Sequence, residues 1–411
     1  MVNKKISRII GPAAGIMVFM MSIGIIPVQA YDVDTQSVKS EAAILGNENM
    51  NYEIEQNGIK LKVKDIIGTK NKIKIDASIT REDGFDDDIH SHRNIELNIY
   101  MDKSNVNSSG TSWSYPDDKT IEINSEQESE DGFLERGNIR ADLVIGDYDF
   151  NGSLVIPVDF TESFKQYMKK DLDVSFDKND KITRFESDAI GTRLILLRDI
   201  DDTRYGVSDY KIEPSFIIKV ENKIYSASYG GGRKYSSDDE SYTCYFETQN
   251  LTYNDIKDAE SISVIPIKST FESDEIEKQS KDSSYYEKLL KEAVVSDNIK
   301  YNKEVNFTDG TKGELKVERT EDKINIYCSS DSDNKSLILA KGIYGIFTDG
   351  SDDYSNSIFE DNKTIFKDEN TENQYVVQFT DSHPKMMFEA NIDIFSLNSD
   401  KFDIGNEIKI K

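Results

Sequence analysis

The stretch "NGIKLKVKDIIGTKNKIKIDASI", Asn57 to Ile79, decides how the rest of the chain is read. Ile59, Leu61 and Val63 alternate with Lys60, Lys62 and Lys64, so one face of an extended segment is apolar and the other wet. Gly68-Thr69-Lys70-Asn71 carries turn residues, and Ile73, Ile75, Ala77 and Ile79 resume the period of two. A helix would need apolar positions three and four apart. Period and turn chemistry predict a β-hairpin.

Working outward, the same period recurs. Ile95, Leu97, Ile99 and Met101 predict a third strand, and Ile121 and Ile123 a short fourth. Leu143 and Ile145 lead into a turn, and Leu154, Ile156 and Val158 lead out of it. Phe164 to Lys170 reads as a short helical turn closing the block at residue 171. A second strand-rich block, 172–275, holds "TRLILLRDI", "PSFIIKVENKIYSAS", "YTCYFET" and "SISVIPIKS". One amphipathic helix is predicted from Ser283 to Val295, because Tyr286, Leu289, Leu290 and Ala293 share a face; it would make 276–301 a helical linker. A third block, 302–411, holds "GELKVERTEDKINIYCSS", "SLILAKGIYGIFTDG", "NQYVVQFTD" and "MMFEANIDIFSL", all read as strands. Many short strands in blocks of about 100 residues predict a mainly β fold of two or three tandem β-sandwich, immunoglobulin-like domains.

The N-terminus sets the place. Lys4, Lys5 and Arg8 precede an apolar run over residues 9–28, and Val28-Gln29-Ala30 offers compact residues where a signal peptidase reads. This order is that of a signal peptide cut between Ala30 and Tyr31. The run is also close to the length that spans a bilayer, so an uncleaved anchor over 9–28 is the alternative. Either way, residues 1–30 form an apolar leader helix, 31–50 a polar spacer, and everything after Tyr31 is exported.

The 411 residues carry 77 acidic against 50 basic side chains, a formal net charge of −27. Such a field repels nucleic acid and anionic lipid, and neither is an expected partner. The two cysteines, Cys244 and Cys328, each sit in an alternating strand pattern and read as small buried residues rather than a disulfide.

Few motifs carry chemistry. In "GDYDFNGSL", Asp147, Asp149, Asn151 and Gly152 match the opening of a calcium loop, but its last position is Val158 where a glutamate belongs. Asn151-Gly152 reads better as a type I′ hairpin dipeptide. His90 and His92 in "DDDIHSHR" could share one face of a strand, yet the stretch reads as a charged loop and not a metal site. "SYGGGRKYSS" lacks P-loop spacing and reads as a hairpin tip. Around it Tyr225, Tyr229, Tyr235 and Tyr242 cluster; Tyr225, Tyr229 and Tyr235 are the candidate ligand contacts, with ordinary strand tyrosines as the plainer reading. No nucleophile elbow and no zinc-protease helix is visible, and His383 precedes Pro384 in a turn. The expectation is therefore no catalytic set, no metal and no cofactor.

The segment from Asn57 to Ile79, with its "NGI-x-L-x-V" opening, turn and alternating strand, resembles a bacterial family. It is similar to the extracellular domain of unknown function in anti-sigma-factor-like membrane proteins of clostridia and bacilli. The resemblance covers about residues 50–171 and the leader, and the second block is similar to the sandwich-like domain that often follows. It implies a place in the envelope of a Gram-positive cell. Members hold a sigma factor with a cytoplasmic region, whereas about eight residues precede the apolar run here, so the resemblance does not imply that activity. The expectation is a non-enzymatic exported or tethered protein that binds or senses an envelope protein or wall polymer. The alternatives are a wall-acting hydrolase using paired carboxylates and an adhesin.

Overall fold

The computed structural model describes residues 43–44, 52–86, 95–102, 104–106, 108–129, 131–176, 180–199, 214–233, 241–271, 294–296, 300–320, 322–348, 358–360 and 363–411. The fold is mainly β, and the strands of the described residues group into four sheets.

Two sheets build the unit 52–160. One has the order Tyr52–Gln56, Ile59–Gly68, Lys72–Arg81, Thr120–Glu128, Ser108–Asp117. The other has the order Ala43–Ile44, Phe150–Asp159, Arg136–Ile145, Ile95–Met101. Asn57 and Gly58 join the first two strands with φ of 52° and 75°. Two left-handed residues in succession make the type I′ turn, whose twist matches a hairpin. The alternation of the opening stretch holds to Val63 and then slips: the register shifts between Val63 and Asp65. This bulge leaves Lys64 and Asp65 both exposed and returns Ile66 to the core. Ile59, Leu61, Ile73 and Ile75 of one sheet and Ile139, Leu143, Ile145 and Ile156 of the other share one apolar cluster. The sheets are also tied at their ends, where Asn57 Nδ2 donates to the Asp149 carbonyl (2.9 Å) and the Asn151 N–H to Gln56 Oε1 (2.9 Å).

The third sheet has 14 strands among the described residues. Its main path runs Tyr167–Ser175, Asp180–Asp188, Thr192–Asp199, Ser241–Thr248, Lys223–Arg233, Lys363–Lys367, Gln374–Thr380, Lys323–Ser330, Lys312–Arg319, Lys300–Asn306. Strand Lys223–Arg233 pairs through residues 223–227 with Ser215–Val220 and through 228–233 with Ser241–Thr248, bending at a bulge between Tyr229 and Gly231. Ser215–Val220 in turn pairs with Ile262–Ser269. Ser215–Val220 is buried on both faces. Phe216 and Ile218 enter the core of the 180–264 region, while Ile217 enters the core of the 305–404 region. The run "SFIIKV" is continuous rather than alternating for that reason. The second and third blocks are thus one hydrogen-bonded body. The chain's last strands return to it: Phe402–Ile404 and Ile408–Lys409 pair with Ile262–Ser269, and Ile410 is buried among residues 182–264. A four-stranded sheet, Val294–Ser296, Met387–Ile392, Ile343–Thr348, Ile358–Glu360, covers the other side of the 305–404 core.

Several expectations change. "SLILAK" is helical, within Asp333–Lys341, not a strand. Ser332 caps it, its Oγ accepting the Lys335 N–H (3.3 Å), and residues 336–340 are all buried. A helix buried on every side shows the same unbroken apolar run as a buried strand, so periodicity misleads there. Lys363 Nζ donates to the Lys341 carbonyl (2.8 Å) and to that of Ile343, placing a buried cation at the negative end of this helix. In "GDYDFNGSL" the hairpin exists, but Gly146–Tyr148 and left-handed Asp149 (φ 49°) make the turn. Asn151 and Gly152 lie in strand, opposite Val144 and Leu143. A Cβ at Gly152 would meet the Phe150 ring at 2.9 Å, so close packing explains the glycine. The helical turn near 164 is Thr161–Lys165, and strand begins at Tyr167. The Ser283 helix falls outside the described residues except for Val294 and Val295, which are strand. Within the expected spacer 31–50, Ala43–Ile44 pairs in parallel with Val158 and Asp159. Residues 1–30, with Ala30, and Tyr31 lie outside the described residues.

The return of the C-terminus predicts that a residue one position from the end is structural. Ile410→Ala is expected to cost about 2–5 kcal/mol, and exposed Lys409→Ala less than about 0.5 kcal/mol. Urea unfolding would read the first as a lower midpoint at unchanged slope.

Candidate functional site

The turn Gly68–Asn71 delivers Lys72 to the start of its strand, on the face of the sheet away from the core. Lys72 stands opposite Glu128, and Lys74 opposite Glu126, on the neighbouring strand. Opposite and diagonal side chains on one face of an antiparallel pair are in reach of each other. From the other body, Tyr245 and Glu247 reach the same place from one face of Ser241–Thr248. Arg193 stands beside Glu247 and Glu186 beside Arg193, across successive strands.

Lys72 Nζ lies 2.6 Å from Glu126, 3.2 Å from Glu128 and 2.6 Å from Glu247. The Lys72 side chain is only 8% exposed. Arg193 pairs with Glu186 (2.9 Å) and lies 3.8 Å from Glu128. Tyr245 OH donates to Glu128 (3.2 Å), Gln249 Nε2 to Glu126 (2.9 Å), and Tyr167 OH to Glu186 (3.1 Å). A small cavity of about 20 Å³ opens beside them, lined by Asn71, Tyr167, Glu186, Gly191 and Arg193 among others. That is room for about one water molecule.

The titrations follow from this crowding. Burial acts to lower the Lys72 pKa, but Glu247, Glu126 and Glu128 outweigh it and hold the ammonium charged far above its ordinary range. Burial raises the Glu247 pKa, and Lys72 offsets this only in part because two other acids share the same cation. Burial also works on Glu186, yet Arg193 prevails and lowers its pKa. Burial, seconded by Glu186, pushes the Tyr167 hydroxyl up to about 12.

Glu126, Glu128 and Glu247 bring carboxylate oxygens within 4.8 Å of one another, a separation a metal ion could bridge. Lys72 Nζ contacts all three and neutralises them as a cation would. Every one of these acids is engaged, so the arrangement holds charge and fixes the relative position of its strands.

The residues singled out from sequence lie elsewhere. Tyr225 is 5% exposed, within the core. Tyr229 is half-buried and packs edge-on against Phe246, ring centres 5.5 Å apart. Tyr242 is half-buried beside Arg198, which donates to its hydroxyl (2.9 Å). Tyr235, His90 and His92 lie outside the described residues. Ser228–Arg233 of the glycine-rich run are strand. His383 stands against Phe347 at 5.1 Å in a loop that Arg319 fixes through a two-pronged pair with Asp381 (2.6 and 2.8 Å). Cys244 and Cys328 form no disulfide and are buried in different cores. The Lys72 cluster was not legible from sequence. Its one local signal, Glu126 and Glu128 on one strand face, is common among 77 acidic residues.

No family model matches the chain, and no curated protein matches it. Among solved structures, the chain is similar to one described as the crystal structure of the conserved domain protein from Bacillus anthracis. That likeness has 16% identity and a TM-score of 0.41, covering 54% of this chain and 77% of the other.

Lys72→Met would leave three carboxylates facing one another without their cation, and is expected to cost about 3–5 kcal/mol in urea unfolding. Glu247 sets a pH dependence of definite sign. Its folded pKa lies above the unfolded value, so its charge opposes folding at neutral pH and that cost disappears as pH falls through the folded pKa. Between pH 7 and about 4.5, the wild type should gain stability relative to Glu247→Gln; parallel unfolding curves at several pH values would show it.

Proposed function

We propose that this chain is an exported or membrane-tethered protein of the bacterial cell envelope that binds or senses an envelope protein or wall polymer through non-catalytic β-sandwich, immunoglobulin-like domains. The observation that carries the reading is the leader. A basic flank, an apolar run over residues 9–28 and a compact Val28-Gln29-Ala30 precede a mainly β chain. The sandwich reading draws support from the unit 52–160, where side chains from two sheets meet in one cluster. The resemblance of residues 50–171 to the anti-sigma-type ectodomain points to the same compartment. The net charge of −27 speaks against nucleic acid as partner. A surface of strand faces and charged side chains suits recognition of a macromolecule more than enclosure of a small one.

Expression in a Gram-positive host, cell fractionation and the intact mass of the product test this. The expected product is outside the cytoplasm and begins at Tyr31. A membrane-bound product keeping Met1 would make the chain a tethered ectodomain, and full-length protein confined to the cytosol would refute the reading.

A further inference from the structure

The molecule is held together in two different ways. The 180–264 and 305–404 regions are joined by apolar packing and a continuous sheet: Ile217 and Ile224 of the former, with Ile267 just beyond it, sit inside the core of the latter. The unit 52–160 keeps its apolar cluster to itself, with Phe164 as the last residue packed on it. Among the described residues, its hydrogen bonds and ion pairs to Ser241–Thr248 and the neighbouring residues run through polar side chains. Lys72 meets Glu247, Glu128 meets Arg193 and Tyr245, and Glu126 and Lys74 meet Gln249. One short connection, Thr161–Lys165 and Gln166, carries the chain across, and Gln166 accepts from Asn254 Nδ2 (3.0 Å).

Charge makes such a contact conditional. Both bodies carry an excess of acidic residues, so at long range they repel. At the contact, Lys72 and Arg193 face Glu126, Glu128, Glu186 and Glu247, two cations against four anions. Only the closest pairs across the contact favour closure, and Lys72 supplies the shortest of those described, to Glu247 at 2.6 Å. Polar interfaces between domains of one chain allow relative motion, whereas large apolar ones do not.

We propose that the Lys72 junction is an ionic joint, about which the unit 52–160 turns as a body against the rest of the chain, with Lys72 as the residue that holds it closed. The inference is independent of where the protein resides and of what it binds. It assigns the moving part and the fixed part: residues 167–411 stay together when the joint opens.

Spin labels at Glu82→Cys and Glu369→Cys, both exposed and on different bodies, read the joint in the full chain. Cys244 and Cys328 are fully buried and stay unlabelled. In low salt the wild-type background should give one narrow distance distribution. Lys72→Met should shift it to longer distance and broaden it, Lys72→Arg should keep it narrow, and Arg193→Met, which leaves the 52–160 sheet untouched, should broaden it as well. A second label pair within 167–411, at Lys257→Cys and Glu369→Cys, should stay narrow in every variant. If Lys72→Met and Arg193→Met both retain the wild-type distribution, or if the pair within 167–411 broadens with them, the joint is refuted.

Discussion

One strand, Ser215–Val220, has a core on each side, and the larger body of the protein depends on it. Phe216 and Ile218 fill one core and Ile217 the other, with no exposed surface on any of the three. A strand in that position cannot be withdrawn from one core without exposing the other. Its partners inherit the constraint. Lys223–Arg233 must bend at Tyr229 and Gly231 to pair with both Ser215–Val220 and Ser241–Thr248, and Ile262–Ser269 must accept the returning C-terminus. The free energy involved is that of apolar burial, which is non-directional and grows with area. It therefore offers no charge for pH to titrate.

The contact to the unit 52–160 has the opposite character. Its strength lies in distance and charge balance, with one ammonium among three carboxylates. The raised pKa of Lys72 and the raised pKa of Glu247 describe one situation from two sides. The cation has more partners than it needs, and the acid has fewer. A buried charge cluster of this kind adds little net stability but is costly to leave half-made, which suits it to setting an orientation.

The alternating strands were legible because burying one face of a sheet demands a period of two. Ile59 to Ile79 and Leu143 to Val158 are placed as their patterns require, apart from the bulge at Val63 and the turn at Gly146 to Asp149. Strand Ser108–Asp117 was not legible. It lies at a sheet edge with most of its described side chains exposed, so only Trp113 and Tyr115, which pack on the core, mark "SSGTSWSYPD" as strand, too few to show a period. The helix Asp333–Lys341 was misread for the converse reason, its run Leu337–Ala340 being apolar and buried without a break. The Lys72 cluster was invisible because its members come from residues 72, 126, 128 and 247, and nothing local distinguishes them from other surface charges.

The sequence by itself determined the β class, the strand faces and the core residues, since each follows from local period and from the cost of hydrating apolar surface. Tertiary structure alone decided which strands became neighbours. That choice put the last residues beside Ile262, gave Ser215–Val220 two cores, and set Glu247 against Lys72. Pairing between distant strands depends on how whole faces fit and on which charges are desolvated together, and no short stretch of chain records either.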